Sequence, residues 1–323
     1  MTEAPAVQLQ AASKTFANGV KAVDGLTLDI PSNRVLALLG TSGCGKTTTL
    51  RLINRLEDAT SGAVHVRGRD VRQQRPEELR RSIGYVIQEG GLFPHMTVAA
   101  NVGAVPRLLG WSRDRIANRV SDILNLVGLG GNEFDSRMPA ELSGGQRQRV
   151  GVARALAADP DILLMDEPFG ALDPATRESI QDQFLALQSR LRKTVVIVTH
   201  DMAEAAKLAD EIVLMDQGRI VQRGTLSELL LHPSADHARV FFGHHRQALS
   251  LEALRLADIL DGLVPMAVSA AGLTLPPDLP LGRVLIALSA AAPQETVAVS
   301  GTGKVYEVAS LRSRILTHLG RQS

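Results

Sequence analysis

The octapeptide Gly40-Thr41-Ser42-Gly43-Cys44-Gly45-Lys46-Thr47 follows an apolar run, Val35 to Leu39, and precedes a helix-like stretch from Thr48 to Leu56. Glycines at these intervals let a loop curl until its backbone N–H groups and the N-terminus of the next helix converge, an arrangement that holds phosphate oxygens. Lys46 then supplies a mobile positive charge for the outer phosphates, and Thr47 a hydroxyl for magnesium. Every fixed position of a Walker A phosphate loop is present between a strand and a helix, which favours nucleotide binding over an incidental glycine-rich turn. Cys44 reads as a small residue filling a loop position, with no catalytic or redox role.

A second run, Ile162-Leu163-Leu164-Met165, ends in two carboxylates, Asp166 and Glu167. Asp166 is placed to orient magnesium, directly or through its water, and Glu167 to polarise a water that attacks a γ-phosphate. Alone, such a pair could open a helix or lie on a surface; behind a phosphate loop it reads as Walker B. Ahead of it stands Leu142-Ser143-Gly144-Gly145-Gln146. Ser143 can cap the helix that follows, and the Gly144-Gly145 amides leave an open, phosphate-attracting N-terminus. These elements predict ATP as ligand, Mg2+ as its metal and phosphoryl hydrolysis as the chemistry.

Strands must deliver these residues. Val35 to Leu39, Ile83 to Ile87, Ile162 to Met165, Val195 to Val198 and Ile212 to Met215 are short and almost wholly apolar, as strands buried on both faces of a parallel sheet are. Their C-terminal ends should carry the polar function. Val7 to Gln10, Leu26 to Ile30 and Ala63 to Arg67 alternate instead, which predicts an antiparallel sheet with one wet face. From Val98 to Leu142 the pattern is helical, with breaks expected at Pro106, Gly128 and Gly130-Gly131, so an inserted helical subdomain is predicted over about 98–145. The whole is an α/β fold. Past Gly243 the composition turns richer in Ala, Leu and Pro, dividing 1–243 from a linker and smaller domain at 244–323.

Bulk properties narrow the partners. The chain has 323 residues, with 35 Lys plus Arg against 34 Asp plus Glu, a balance that argues against nucleic acid as a partner. Its 1 cysteine excludes an intramolecular disulfide framework and fits a reducing compartment. The N-terminus MTEAPAVQLQ lacks a signal-peptide pattern, and no run approaches ~18 apolar residues, so the chain is expected on the cytoplasmic side without a span of its own. His232, His237, His244 and His245 read as the solvated face of a helical tail, and Arg67, Arg69, Arg72, Arg75, Arg80 and Arg81 as surface charges.

The pentapeptide Leu142 to Gln146, lying between Walker A and Walker B, resembles the signature of the ABC ATPases. That resemblance implies a P-loop ABC ATPase domain and a head-to-tail dimer in which each signature faces the γ-phosphate held by the other copy. It implies that Phe16 stacks on adenine, with phenylalanine where tyrosine is more frequent, and that nucleotide contacts run through Gly40, Thr41, Ser42, Gly43, Cys44, Gly45, Lys46, Thr47 and Thr48. Gln88 matches the Q-loop glutamine, reaching magnesium or the attacking water. Ala171-Leu172-Asp173 matches the D-loop at the dimer seam, and His200 the H-loop histidine on the γ-phosphate. The implied catalytic set is Glu167, His200, Gln88 and Lys46; the metal set is Thr47, Gln88 and Asp166; Ser143, Gly144, Gly145, Gln146, Asp173 and His200 complete the nucleotide contacts.

Ile83 to Val98, with Asn101-Val102 and Val105-Pro106, is similar to ATPases of osmoprotectant importers, which carry glycine betaine, choline, carnitine or related quaternary ammonium compounds. The similarity implies integral-membrane permease subunits as direct partners, a solute-binding protein as an indirect one, and a place on the cytoplasmic face of the membrane. An importer ATPase for another solute, such as an amino acid, polyamine or sugar, would share the same chemistry. A nucleic-acid-remodelling ABC protein usually adds coiled coils, zinc insertions or a second ATPase domain, none of which is seen. A binding module that has lost hydrolysis is disfavoured by the intact Lys46, Asp166, Glu167 and His200. Osmoprotectant ATPases often end in CBS domains, and Leu281 to Leu319 resembles one degenerate α+β unit: helix to Ala291, strand Glu295 to Val299, turn at Gly301-Thr302-Gly303, strand Val305 to Val308, helix from Leu311.

Overall fold

A computed structural model describes residues 4–87, 91–170, 172–233, 241–243, 246–266 and 272–319. The chain forms two compact units, 1–220 and 221–323. The helix Leu226–Leu231 falls in the second unit, whose core its last residue Leu231 joins.

The first unit holds five strands of a six-stranded sheet of order β10-β9-β3-β8-β7-β6, whose edge strand β10 begins in it and runs past residue 220. The sheet's strands are β3 (Val35–Gly40), β6 (Ile83–Val86), β7 (Ile162–Asp166), β8 (Thr194–Thr199), β9 (Glu211–Asp216) and β10 (Arg219–Gly224). The pairings β9-β3-β8-β7-β6 are all parallel. In β3, β7 and β8 every residue is buried, as expected for strands covered on both faces. Period-two alternation divides their side chains between two cores. Leu163, Met165, Val195 and Ile197 join the core on the helical side. Ile162, Leu164, Val196 and Val198 join the core beneath a four-stranded antiparallel sheet. That sheet has order β2-β1-β4-β5, from β1 (Val7–Thr15), β2 (Lys21–Ile30), β4 (Ser61–Val66) and β5 (Arg69–Asp70). Its alternating residues bury one face, as the sequence predicts.

Helices α1 (Lys46–Ile53) and α2 (Pro76–Ser82) flank the phosphate loop and β6. The expected helical insertion comprises α3 (Val98–Val102), α4 (Ala104–Leu108), α5 (Arg113–Leu126) and α6 (Asn132–Asp135). Pro106 does not break it: it is the third residue of α4, where a helix has no N–H bond to lose. The interruption falls at Gly103, between α3 and α4. Arg80 is not merely a surface charge, since it donates to the backbone carbonyls of Asn54 (3.3 Å) and Arg55, satisfying the C-terminal end of α1. The signature helix α7 (Gly144–Leu156), then α8 (Pro174–Leu191) and α9 (Met202–Leu208), complete the unit. No helix among the described residues is long and apolar enough to cross a membrane.

In the second unit, α10 (Leu226–Leu231) precedes a three-stranded sheet of order β11-β12-β13: Leu273–Leu275, Thr296–Val299 and Lys304–Glu307. Helices at Leu281–Ser289 and Val308–His318 pack on it around Leu281, Val284, Leu288, Val297, Tyr306 and Leu311. The helix-strand-turn-strand-helix order is the one expected, and Gly301 and Gly303 adopt the left-handed turn conformations, φ 75° and 67°. Exposed His232 ends α10; His237, His244 and His245 lie outside the described residues.

Candidate nucleotide site

Strands β3, β7 and β8 run parallel and therefore end on one edge, bringing the phosphate loop, Asp166-Glu167 and Thr199-His200 together. Within the loop, Gly43 and Gly45 have φ of 80° and 104°. A Cβ on Gly45 would overlap the Ala22 carbonyl oxygen of β2, so this position requires glycine twice over. The Gly218 N–H bonds the Cys44 carbonyl at 2.9 Å and the Asp24 N–H bonds the Gly218 carbonyl at 2.9 Å, tying β2 to the loop. Beyond β1 and before β2, the turn Phe16–Val20 carries a half-buried Phe16 ring, with Lys14 Nζ 5.1 Å from its centroid. Phe16 and the exposed Val20 thus sit on the hairpin that packs against Gly45.

The Lys46 ammonium is buried and donates to the carbonyls of Gly40 (2.8 Å) and Thr41 (2.9 Å), lying across the mouth of the loop. The Cys44 side chain is 3% exposed and belongs to the apolar core, where burial raises its thiol pKa and its Sγ accepts from Lys46 Nζ at 3.8 Å. Thr47 Oγ1 donates to Asp166 Oδ1 at 2.8 Å. Two hard oxygen donors at the end of the phosphate loop are the kind of ligands a small divalent cation such as magnesium takes. Burial raises the Asp166 pKa above the usual carboxylate range, opposed by the Thr47 hydrogen bond and the Arg51 charge. Tyr85 OH approaches Asp166 Oδ2 at 3.5 Å, and burial with that neighbouring charge pushes its phenol up to about 12. No sequence pattern marks Tyr85. It follows from register: Tyr85 pairs with Leu164, and Asp166, two residues on, points to the same face.

Glu167 has φ 45°, in the left-handed region that costs a non-glycine residue about 1 kcal/mol or more. Its N–H bonds the Val198 carbonyl at 3.0 Å, and its Oε1 lies 3.4 Å from His200 Nδ1. A carboxylate and an imidazole at the phosphate end of the sheet can together hold and polarise a water. Gln88 lies outside the described residues, as does Ala171. The chain after Gln88 is held from the helical side: buried Asn101 accepts from the Phe93 N–H (2.8 Å) and donates to the carbonyls of Phe93, Met96 and Thr97. Arg154 of α7 donates to the Gly91 carbonyl at 2.8 Å.

Ser143 caps α7 reciprocally: its Oγ accepts the Gln146 N–H at 3.2 Å, while Gln146 Oε1 accepts the Ser143 N–H at 2.9 Å. Gly145 lies against α8, where a Cβ would stand 2.6 Å from Thr176 Cγ2, whereas nothing crowds Gly144 closer than 3.8 Å. The side-chain bonds of Ser143 and Gln146 thus close on α7's own first turn. Asp173 caps α8 through the Thr176 N–H at 3.1 Å, and bonds to Thr176 lower its pKa. Thr48 is the third residue of α1.

A glycine loop with a buried lysine, a threonine-bound aspartate and a glutamate–histidine pair define a P-loop nucleotide-hydrolysing protein. Residues 23–170 match the ABC transporter family. Over 264 residues the chain is 48% identical to the glycine betaine/carnitine/choline transport ATP-binding protein OpuCA of Bacillus subtilis, covering 82% of this chain and 69% of that one. It is 49% identical over 242 residues to the osmoprotectant import ATP-binding protein OsmV of Salmonella typhimurium, covering 75% of this chain and 63% of the relative. A dimeric ATP-binding cassette solved in a post-hydrolysis state bound to ADP and Pi is similar, with TM-score 0.62 and 33% identity, covering 68% of this chain and 98% of that one. This chain belongs to the ATP-binding proteins of ABC transporters, a family of ATPases.

Proposed function

We propose that the chain is the ATPase subunit of an importer for osmoprotectants of the quaternary ammonium type, such as glycine betaine, choline or carnitine. The observation that carries this reading is the 48% identity to an ATP-binding protein named for those three solutes, sustained over 82% of the chain. Residues 1–243 act as the nucleotide-binding domain, docked on permease subunits at the cytoplasmic face of the membrane and served indirectly by a solute-binding protein.

Phe16 stacks on adenine, and the loop amides with Lys46 hold the phosphates. Thr47 and Asp166, with Gln88, hold magnesium, which when bound neutralises phosphate charge. Glu167 accepts a proton from the attacking water, and His200 orients the γ-phosphate. Glu167 keeps its strained backbone because the Val198 carbonyl holds its N–H. Two copies meet head to tail, so that Ser143, Gly144, Gly145 and Gln146 of one chain close over the γ-phosphate of the other, with Asp173 at the seam. The uncrowded Gly144 supports this reading, because a phosphate can approach its N–H. Loss of the γ-phosphate removes that cross-chain contact and lets the dimer open. Residues 244–323 form a linker and a degenerate CBS-like unit that pairs with its copy; its exposed Ile286 (73%) and Leu316 (37%) supply apolar surface for such a contact.

Deleting the subunit from cells cleared of redundant transporters is expected to abolish uptake of at least one radiolabelled quaternary ammonium solute under osmotic stress. Undiminished uptake of all of them, with loss of a different solute, would overturn the cargo assignment.

A further inference from the structure

Behind the catalytic edge lies a polar cluster for which the nucleotide chemistry has no use. Arg177, in the first turns of α8, forks its guanidinium between two elements. Nη2 donates to the Leu172 carbonyl at 3.0 Å, and Nη1 reaches Asp201 Oδ2 at 3.4 Å. Leu172 immediately precedes Asp173, and Asp201 immediately follows His200. Asp201 is also committed elsewhere, since its Oδ1 caps α9 by accepting the N–H groups of Ala203 (2.9 Å) and Glu204 (3.2 Å). Its own N–H donates to the Thr199 hydroxyl at 2.9 Å, closing the turn on which His200 stands.

A cation this near a helix N-terminus opposes the helix dipole, so local helix stability does not favour Arg177 where it is. Its position is favourable only through the two acceptors it joins. Arg177 Nε and Glu204 Oε1 are buried without hydrogen-bond partners, whereas the Arg177 and Asp201 side chains are 30% and 34% exposed, so solvent partly screens their ion pair and the arginine's effect lies in its geometry. A planar fork holds two acceptors in one geometry, whereas a lysine ammonium does not impose that angle.

We propose that Arg177 is a positioning residue: by bonding the Leu172 carbonyl and the Asp201 carboxylate at once, it holds the Asp173 segment and the His200 turn of one chain in fixed relation. This rests on the reading of Glu167 and His200 as the hydrolytic pair. The seam residue and the γ-phosphate histidine are thereby aligned before ATP arrives, and a displaced His200 would slow the chemical step with little effect on nucleotide affinity.

The test is steady-state hydrolysis by the full chain, with ATP affinity measured separately, for Arg177→Ala, Arg177→Lys, Asp201→Asn and the Ala/Asn double variant. Asn keeps the α9 cap while removing the charge that Arg177 engages. Arg177→Ala is expected to lower kcat about tenfold while the Kd for ATP stays within about twofold, and the double variant should be no slower than Arg177→Ala, since both remove one interaction. Arg177→Lys should fall between wild type and Arg177→Ala. A kcat for Arg177→Ala within about twofold of wild type, or single effects that multiply in the double variant, would overturn the proposal. If Arg177→Ala fails to fold, wild-type kcat in both Arg177→Lys and Asp201→Asn does the same. Glu167→Gln assayed in parallel separates the two levels: hydrolysis at the wild-type rate there refutes the underlying site, whereas an inactive Glu167→Gln beside an active Arg177→Ala refutes only the positioning role.

Discussion

Glu204 is 4% exposed, and burial, reinforced by the Asp201 and Glu167 charges and opposed by Arg177 and Thr199, pushes its carboxyl from 4.5 up to about 8. The folded chain therefore keeps this proton over a range in which the unfolded chain loses it. Its contribution to stability is fully present below 4.5 and is lost as pH rises toward 8, above which it levels off. At ~1.36 kcal/mol per pH unit, Glu204 destabilises the fold by about 3 kcal/mol at pH 7 and about 5 kcal/mol above pH 8. Glu204→Gln cannot ionise and escapes this loss. The variant should match wild type near pH 4.5, exceed it by about 3 kcal/mol at pH 7 and by somewhat more at pH 9. The 1 tryptophan, Trp111, lies in the same compact unit as Glu204, so urea unfolding followed by its fluorescence reports on the relevant unit. Other titrating groups are common to both proteins and cancel in the difference. A stability difference that stays constant within about 1 kcal/mol between pH 5 and 9 would refute the reasoning, because it would mean that Glu204 ionises as readily folded as unfolded.

Glu167→Gln should bind ATP but not turn it over, and size-exclusion chromatography should then capture an ATP-bound dimer; hydrolysis at the wild-type rate would remove Glu167 from the base role. Gly45→Ala, forced into φ 104° with its methyl on the Ala22 carbonyl, should lower stability by about 2 kcal/mol or more in thermal unfolding and weaken nucleotide binding with it. Truncation after Arg246 should leave the Thr47–Asp166 and Glu167–His200 geometry and ATP hydrolysis intact while weakening nucleotide-free self-association in analytical ultracentrifugation; equal self-association, with unchanged transport across a salt series, would deny the tail both a pairing and a regulatory role.

Much of the site was legible because its parts are local. The Walker A loop is contiguous, and its glycine requirements at Gly43 and Gly45 arise within the loop or from the strand beside it. The Ser143–Gln146 capping box spans one helical turn. Uninterrupted apolar runs identified β3, β7, β8 and β9, because only strands covered on both faces can bury every side chain. The same locality explains why the order of elements from Leu281 to Leu319 could be read, while short β11 and the placement of Pro106 inside α4 could not: three residues are too few for a period, and a proline in a first turn looks like a break.

What sequence alone specified, then, is which residue types are on hand in a phosphate-loop pattern, and the strands that carry them. Only the tertiary structure decided which groups meet. Tyr85 reaches Asp166 through the register of two parallel strands, Arg177 links segments from both sides of a sheet strand, and Glu204, an ordinary acid on a short helix in the sequence, is buried among Thr199, Asp201 and Arg177. Burial and long-range register depend on how distant segments pack, and no local pattern encodes either.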